Sequence, residues 1–203
     1  MRLLRSLLPV AIIFMLSCAN NRDKGKITIK DEKGKTATFD VKSIEELAKA
    51  AETSMDKAEE LKKLTPLSTD QLKAMMPEEL MGIKKTSFTA DSYSGASSST
   101  ATYKSDDGRE LKLIIYDCAG EAGAGIYSLR YMTLWNIQHE DDNGYQKTVD
   151  FNGQKAIENY VKSNDQYSLA FLHNDRLLVT VEGEKTGFDV VKQAANSLNL
   201  KIN

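Results

Sequence analysis

Apolar residues at Ile44, Leu47, Ala48, Ala51, Met55, Ala58 and Leu61 recur with the spacing of one helix face, and from Ile83 onward the period changes to two. The first pattern predicts a long amphipathic helix over residues 43 to about 64. It is opened by the capping box Ser43-Ile44-Glu45-Glu46 and broken by Thr65-Pro66. The second predicts seven strands, over 83–90, 98–104, 109–116, 145–151, 154–161, 167–173 and 176–182. Asp106-Asp107-Gly108, Asn152-Gly153 and Asn174-Asp175 supply hairpin turns between them. Leu113, Ile114 and Ile115 in a row predict that the third strand is central and covered on both faces.

The remaining elements are shorter. Alternation over 27–30 and 36–41, about the turn-like Asp31-Glu32-Lys33-Gly34-Lys35, predicts a small hairpin. Ser68-Thr69-Asp70-Gln71 opens a short helix to Met75. Pro77-Glu78-Glu79-Leu80 reads as a further turn of helix, with Gly82 as its left-handed cap. After the third strand comes a Gly-rich turn, Asp117 to Gly125, and then a helix over 126–138 that carries the sole tryptophan, Trp135. Phe188, Val191, Ala194, Ala195 and Leu198 mark a closing helix over 187–197. The order predicts an α+β fold: a mainly antiparallel sheet of about seven strands with helices packed on it, preceded by a small hairpin and a long helix.

Element order resembles the Mog1/PsbP-like fold. More specifically, Pro77-Glu78-Glu79-Leu80 with Gly82, the strand end Tyr116-Asp117 with Gly120, and Gly144-Tyr145 followed by Asn152-Gly153-Gln154-Lys155-Ala156 resemble a widespread family of uncharacterised bacterial envelope lipoproteins. The resemblance runs from about residue 64 to 200. It implies a fold and a location but no activity and no site.

The N-terminus changes the picture most. Arg2 and Arg5 precede a short apolar run from Leu7 to Leu16, and roughly ten apolar residues are too few to cross a bilayer core as a helix. Met15-Leu16-Ser17-Cys18 looks like a lipoprotein signal, in which a small residue precedes the cysteine that takes lipid. The plainer alternative is a secretory signal with a chance cysteine. The expected division is 1–17 signal peptide, 18–26 tether, 27–64 hairpin and long helix, and 65–203 main domain. Each buried CH₂ of an acyl chain contributes about 0.8 kcal/mol, so a multiply acylated Cys18 would hold the chain on a membrane essentially permanently. Ala19, rather than Asp, follows Cys18, which by analogy suggests the outer membrane. With Cys18 lipidated, Cys118 has no intrachain partner and no disulfide is expected.

Composition excludes little. The chain has 203 residues, 41% hydrophobic and 28% charged, and a net charge of −2, which gives no reason to expect nucleic acid. Candidate chemistry is sparse. A strand, a Gly-rich turn and a helix can cradle phosphate, but Gly120, Gly123 and Gly125 form G-x-x-G-x-G, matching neither the dinucleotide turn nor the P-loop, and Glu121 would repel an anion. Small residues that let a helix pack close to the sheet are the favoured reading. Cys118 could be a nucleophile only with His139 or His173 beside it; a buried inert thiol is favoured. His139 to Gly144 has the flavour of a calcium loop, but a His stands first where an acid is needed, and the two histidines share no zinc spacing. Tyr127, Arg130, Tyr131, Leu134 and Trp135 lie on or near one side of the central helix, as core or as the edge of a groove.

These observations lead to an expectation of a non-enzymatic, lipid-anchored envelope protein, without cofactor or metal, that binds another envelope protein or a surface. The alternative is a carrier or sensor of a small apolar ligand held between the sheet and the central helix, near Tyr116, Tyr131 and Trp135. Asp117, Gly120, Gly123, Gly125, Arg130, Tyr131 and Trp135 are the candidate ligand or partner surface.

Overall fold

A computed structural model describes residues 26–30, 36–93, 95–133 and 138–202; at 26–30, 36–47, 50, 93 and 129–133 it describes backbone only. Cys18, the signal and tether, the 31–35 turn and Trp135 therefore lie outside the described residues, as do the side chains of Arg130 and Tyr131. The chain divides into two compact units, Met1–Leu47 and Ala48–Asn203. In the first, β1 (Lys26–Lys30) and β2 (Thr36–Asp40) pair antiparallel as the alternation predicts, and helix α1 (Val41–Lys62) begins.

The second unit contains α2 (Thr69–Ala74), β3 (Glu79–Leu80), β4 (Ile83–Tyr93), β5 (Ala96–Lys104), β6 (Glu110–Asp117), α3 (Gly120–Thr133) and β7 (Gln138–Asp141). It continues with β8 (Gly144–Phe151), β9 (Gln154–Val161), β10 (Gln166–His173), β11 (Leu177–Glu184) and α4 (Phe188–Ser197). Nine strands form one sheet in the order β3-β4-β5-β6-β11-β10-β9-β8-β7, every neighbouring pair antiparallel.

Alternation places one core on each face. Leu111, Leu113 and Ile115 of β6, Val179 and Val181 of β11, and Leu169 and Phe171 of β10 meet α2 and α4 through Leu72, Met75, Val191 and Ala194. On the other face Ile157, Leu172 and Leu178 meet Ala58 and Leu61 of α1 and Ala124 and Tyr127 of α3. Fully burying a side chain of this size contributes about 1.5–3 kcal/mol, so these two stripes hold the helices in place. The capping box of α2 forms in full: Gln71 N donates to Ser68 Oγ at 3.3 Å and Ser68 N to Gln71 Oε1 at 2.9 Å.

Five expectations need correction. The long helix begins at Val41, so Ser43 lies inside it and does not open it as a cap. The sheet has nine strands, not seven; the additional two, β3 and β7, are short and lie at the two edges, where too few residues alternate to register as a period. Residues 77–82 do not make a helical turn. Glu79–Leu80 is a strand, and Met81 and Gly82, at φ 53° and 78°, form the two-residue loop into β4. The central helix is Gly120–Thr133, so the Gly-rich stretch is its first turns rather than a loop before it. Each Gly costs a helix about 1 kcal/mol, and close packing against the sheet outweighs that propensity. Finally, β6 is not covered on both faces: Leu111, Leu113 and Ile115 are fully buried while Tyr116 remains 39% exposed. Three apolar residues in a row did not mean double burial.

Candidate functional site

Of the sequence-predicted residues, Asp117, Gly120 and Gly123 gather at one junction, where β6 ends, α3 begins and the 65–67 link crosses. Asp117 is the last residue of β6 and is fully buried. Its carboxylate accepts from Arg176 Nε and Nη2, both at 2.8 Å, from Leu67 N at 2.7 Å and from Ala119 N at 3.1 Å. Arg176 Nη2 also donates to Thr65 O at 3.0 Å, and Cys118 N donates to Arg176 O at 2.9 Å. A bidentate pair with two further backbone donors occupies a carboxylate's acceptor directions. Arg176 is held above its ordinary pKa, first by its hydrogen bond to Asp117. The arrangement is a clamp that fastens the link between α1 and α2 to the sheet.

Gly120 and Gly123 complete the junction. A Cβ at Gly120, whose φ is 76°, would lie 2.8 Å from Gly95 O and 2.9 Å from Pro66 Cγ. At Gly123 it would lie 2.6 Å from Cys118 C and 2.7 Å from Asp117 O. The space is filled by the Gly95 backbone and the Pro66 ring beside Gly120, and by backbone alone beside Gly123. Gly125 differs: a Cβ there meets nothing within 4 Å. The described start of α3 meets the sheet through buried Ala124, Tyr127 and Cys118.

Cys118 is fully buried, and burial pushes its thiol up to about 12, opposed in part by a backbone hydrogen bond at Leu178. The histidines are engaged elsewhere: His139 stands on edge strand β7, 3.6 Å from Asp141, and His173 Nε2 lies 2.9 Å from Leu200 O. Tyr103, also fully buried, donates to Pro77 O at 2.9 Å, and its phenol is pushed up to about 12 by burial and by the charge of Glu78. Both groups are raised in the fold, so the fold retains protons that the unfolded chain has lost. Stability should be unaffected below about pH 9 and fall as pH rises toward 12. Urea unfolding between pH 8 and 11 checks this, alongside iodoacetamide labelling, which should reach Cys118 only in denaturant. Rapid native labelling would contradict the burial.

The second buried carboxylate, Glu158, is likewise taken up internally. It receives Tyr145 Oη at 2.5 Å and Lys147 Nζ at 3.0 Å. Among the described residues no three His, Cys, Asp or Glu side chains cluster as metal ligands.

A concave surface lies elsewhere, on the α2 face at the β3 edge. Two adjoining cavities of about 250 and 420 Å³ open where α2, the β3–β4 hairpin and the segment after α4 meet, and Ala74, Met75 and Asn199 line both. Met75, Pro77, Leu80 and Leu198 give the groove an apolar lining, while Gln71, Glu79 and Lys201 are polar. Met81 stands at its lip, 39% exposed and at φ 53°. A left-handed backbone costs a non-Gly residue about 1–2 kcal/mol, and Asn is the side chain that eases such a turn. A methionine held exposed in that conformation is the kind of outlier that points to use. The sequence reading did not single out this groove. Its one visible signal was Met75, Met76 and Met81 close together, since methionine suits adaptable binding surfaces.

No family model, curated protein or solved structure matches the chain. No described helix is long and apolar enough to cross a membrane.

Proposed function

We propose that the chain is a lipid-anchored protein of the bacterial envelope, held through Cys18 on the outer membrane, whose globular unit binds rather than catalyses. Its groove docks an extended apolar segment of another envelope protein. The anchor rests on Leu16-Ser17-Cys18 behind an apolar run and two arginines. The binding role rests on the groove itself: an apolar lining, a strained exposed Met81 at its lip, and both residues of the short edge strand β3 in its wall. An extended peptide could hydrogen-bond along β3 and lay alternate side chains into the two cavities. The two buried carboxylates are paired within the fold, Asp117 with Arg176 and Glu158 with Lys147.

Two measurements test the reading. Labelled palmitate should be incorporated into the chain in a bacterial host and lost in Cys18→Ser; equal labelling of both would remove the anchor. Titration with a short synthetic peptide of alternating Leu and Thr should shift the amides of Met75, Leu80 and Met81. Shifts confined to α3, or none at all, would refute the groove. Met81→Asn should raise stability by about 1 kcal/mol, because Asn adopts the left-handed turn more easily, while weakening the peptide. Raised stability with unchanged peptide affinity would remove Met81 from the docking surface.

A further inference from the structure

The two edges of the sheet are finished differently. At one edge β7 is four residues long, fully exposed, and carries His139, Glu140 and Asp141. Shortness and charge are how an edge is blunted against further pairing. At the other edge β3 covers only two residues of β4, through Glu79 opposite Lys84 and Leu80 opposite Ile83. Beyond the register shift between Lys85 and Ser87, which leaves Thr86 without a β5 partner, residues Ser87-Phe88-Thr89-Ala90-Asp91-Ser92-Tyr93 pair with β5 on one side, and no described strand lies on the other. This run has one charge, no proline and no glycine, and is rich in Thr, Phe and Tyr.

The backbone polarity of that edge follows from the hairpin. Tyr93 opposite Ala96 closes a two-residue connection, so these two form a hydrogen-bonded pair. Alternation then turns the backbone groups of Phe88, Ala90 and Ser92 outward. Phe88 packs on the α2 and α4 core, so Phe88 and Ala90 lie on that face, and Ser87, Thr89 and Asp91 on the other.

We propose that this edge pairs with the same edge of a second copy, antiparallel about a two-fold axis through Thr89, to give a continuous eighteen-stranded sheet. Phe88 then lies opposite Ala90 of the second copy and Ser87 opposite Asp91. Every opposed pair shares a face, apolar meets apolar, a hydroxyl meets the one carboxylate, and no like charges meet. The outward groups of Phe88 and Ala90 bond to each other, and the two Thr89 residues form the closer non-hydrogen-bonded pair on the axis. β3 and the register shift stop the partner strand at one end and the hairpin connection stops it at the other, which sets the register. The interface is isologous and closes as a dimer rather than a filament.

Sedimentation velocity of the processed chain over the micromolar range should find a species of twice the monomer mass. Ala90→Pro removes an outward N–H and leaves the pairing with β5, so it should sediment as a folded monomer, its thermal midpoint lowered only by loss of the second copy. In a Cys18→Ser background, Thr89→Cys should form a covalent dimer on mild oxidation, because the axis pair has the short Cα separation a disulfide needs. Ser87→Cys and Asp91→Cys should each fail alone and cross-link when mixed. A monomer at all concentrations, a dimer that survives Ala90→Pro, or no cross-link through Thr89→Cys would each overturn the inference. The cysteine pairs decide the matter even if the proline variant does not fold, and none of these outcomes depends on the groove.

Discussion

Arg176→Ala should lower the unfolding free energy of the second unit by about 3–5 kcal/mol, because it leaves the Asp117 carboxylate buried without its cation. The carboxylate is fully buried and the guanidinium side chain only 15% exposed, so this is not a surface pair whose worth would be below about 1 kcal/mol. The loss goes beyond charge. Arg176 also ties Thr65 O, and Leu67 N shares the same carboxylate, so the α1–α2 link loses its fastening when the guanidinium goes. A domain of ordinary stability, about 5–15 kcal/mol, would be left close to unfolding. The double variant Asp117→Asn with Arg176→Met should recover part of the loss, since no charge is then stranded. Urea midpoints at constant slope give both values, and amide exchange at 65–67 reports the link. A loss below about 1 kcal/mol for Arg176→Ala would mean that water reaches the carboxylate and that the clamp is not the fastening described above.

Gly123→Ala and Gly125→Ala should move stability in opposite directions, although both lie in the same helix two residues apart. Alanine in place of glycine favours a helix by about 1 kcal/mol at either position. At Gly125 nothing opposes that gain, because the new methyl group meets open space. At Gly123 the methyl would lie under 3 Å from Cys118 C, Asp117 O and Cys118 O. These are backbone atoms of the strand end and cannot swing aside as a flexible side chain could. Either α3 lifts from the sheet or the Asp117 clamp shifts. Overpacking of this kind costs about 1–3 kcal/mol and more where backbone must move, so a net loss of about 2 kcal/mol is expected at Gly123. Thermal or urea unfolding of the two variants side by side suffices. A stabilising Gly123→Ala would show that α3 has room to move off β6.

Much of the fold was legible because the second unit is built from strands long enough to alternate. β9 runs over the very residues the pattern predicts, and β8, β10, β11 and α4 agree to within a residue or two. The capping box of α2 was legible for a local reason: Ser68 and Gln71 satisfy each other's backbone donors without help from distant parts of the chain. The edge strands were not. Glu79–Leu80 has no period to read, and Met81-Gly82 is a poor hairpin signal beside Asn152-Gly153. The onset of α3 was hidden because its glycines disfavour a helix in isolation, and only the contacts at Asp117 and Cys118 make them necessary.

Of the candidate site, the sequence marked Asp117, Gly120 and Gly123 as belonging together but not what joins them. Arg176 lies 59 residues from Asp117, and nothing local announces the pair. The groove was less visible still, since Met75, Leu80, Met81 and Leu198 come from α2, a hairpin and the chain end. Alternation, caps and turns are properties of neighbouring residues and fall within reach of sequence alone. Which carboxylate is buried against which guanidinium, which glycine has no room for a methyl group, and where the surface is concave depend on residues brought together by the sheet. The clamp was decided only when β6 and β11 became neighbours, and the groove only when α2, the β3–β4 hairpin and the segment after α4 met.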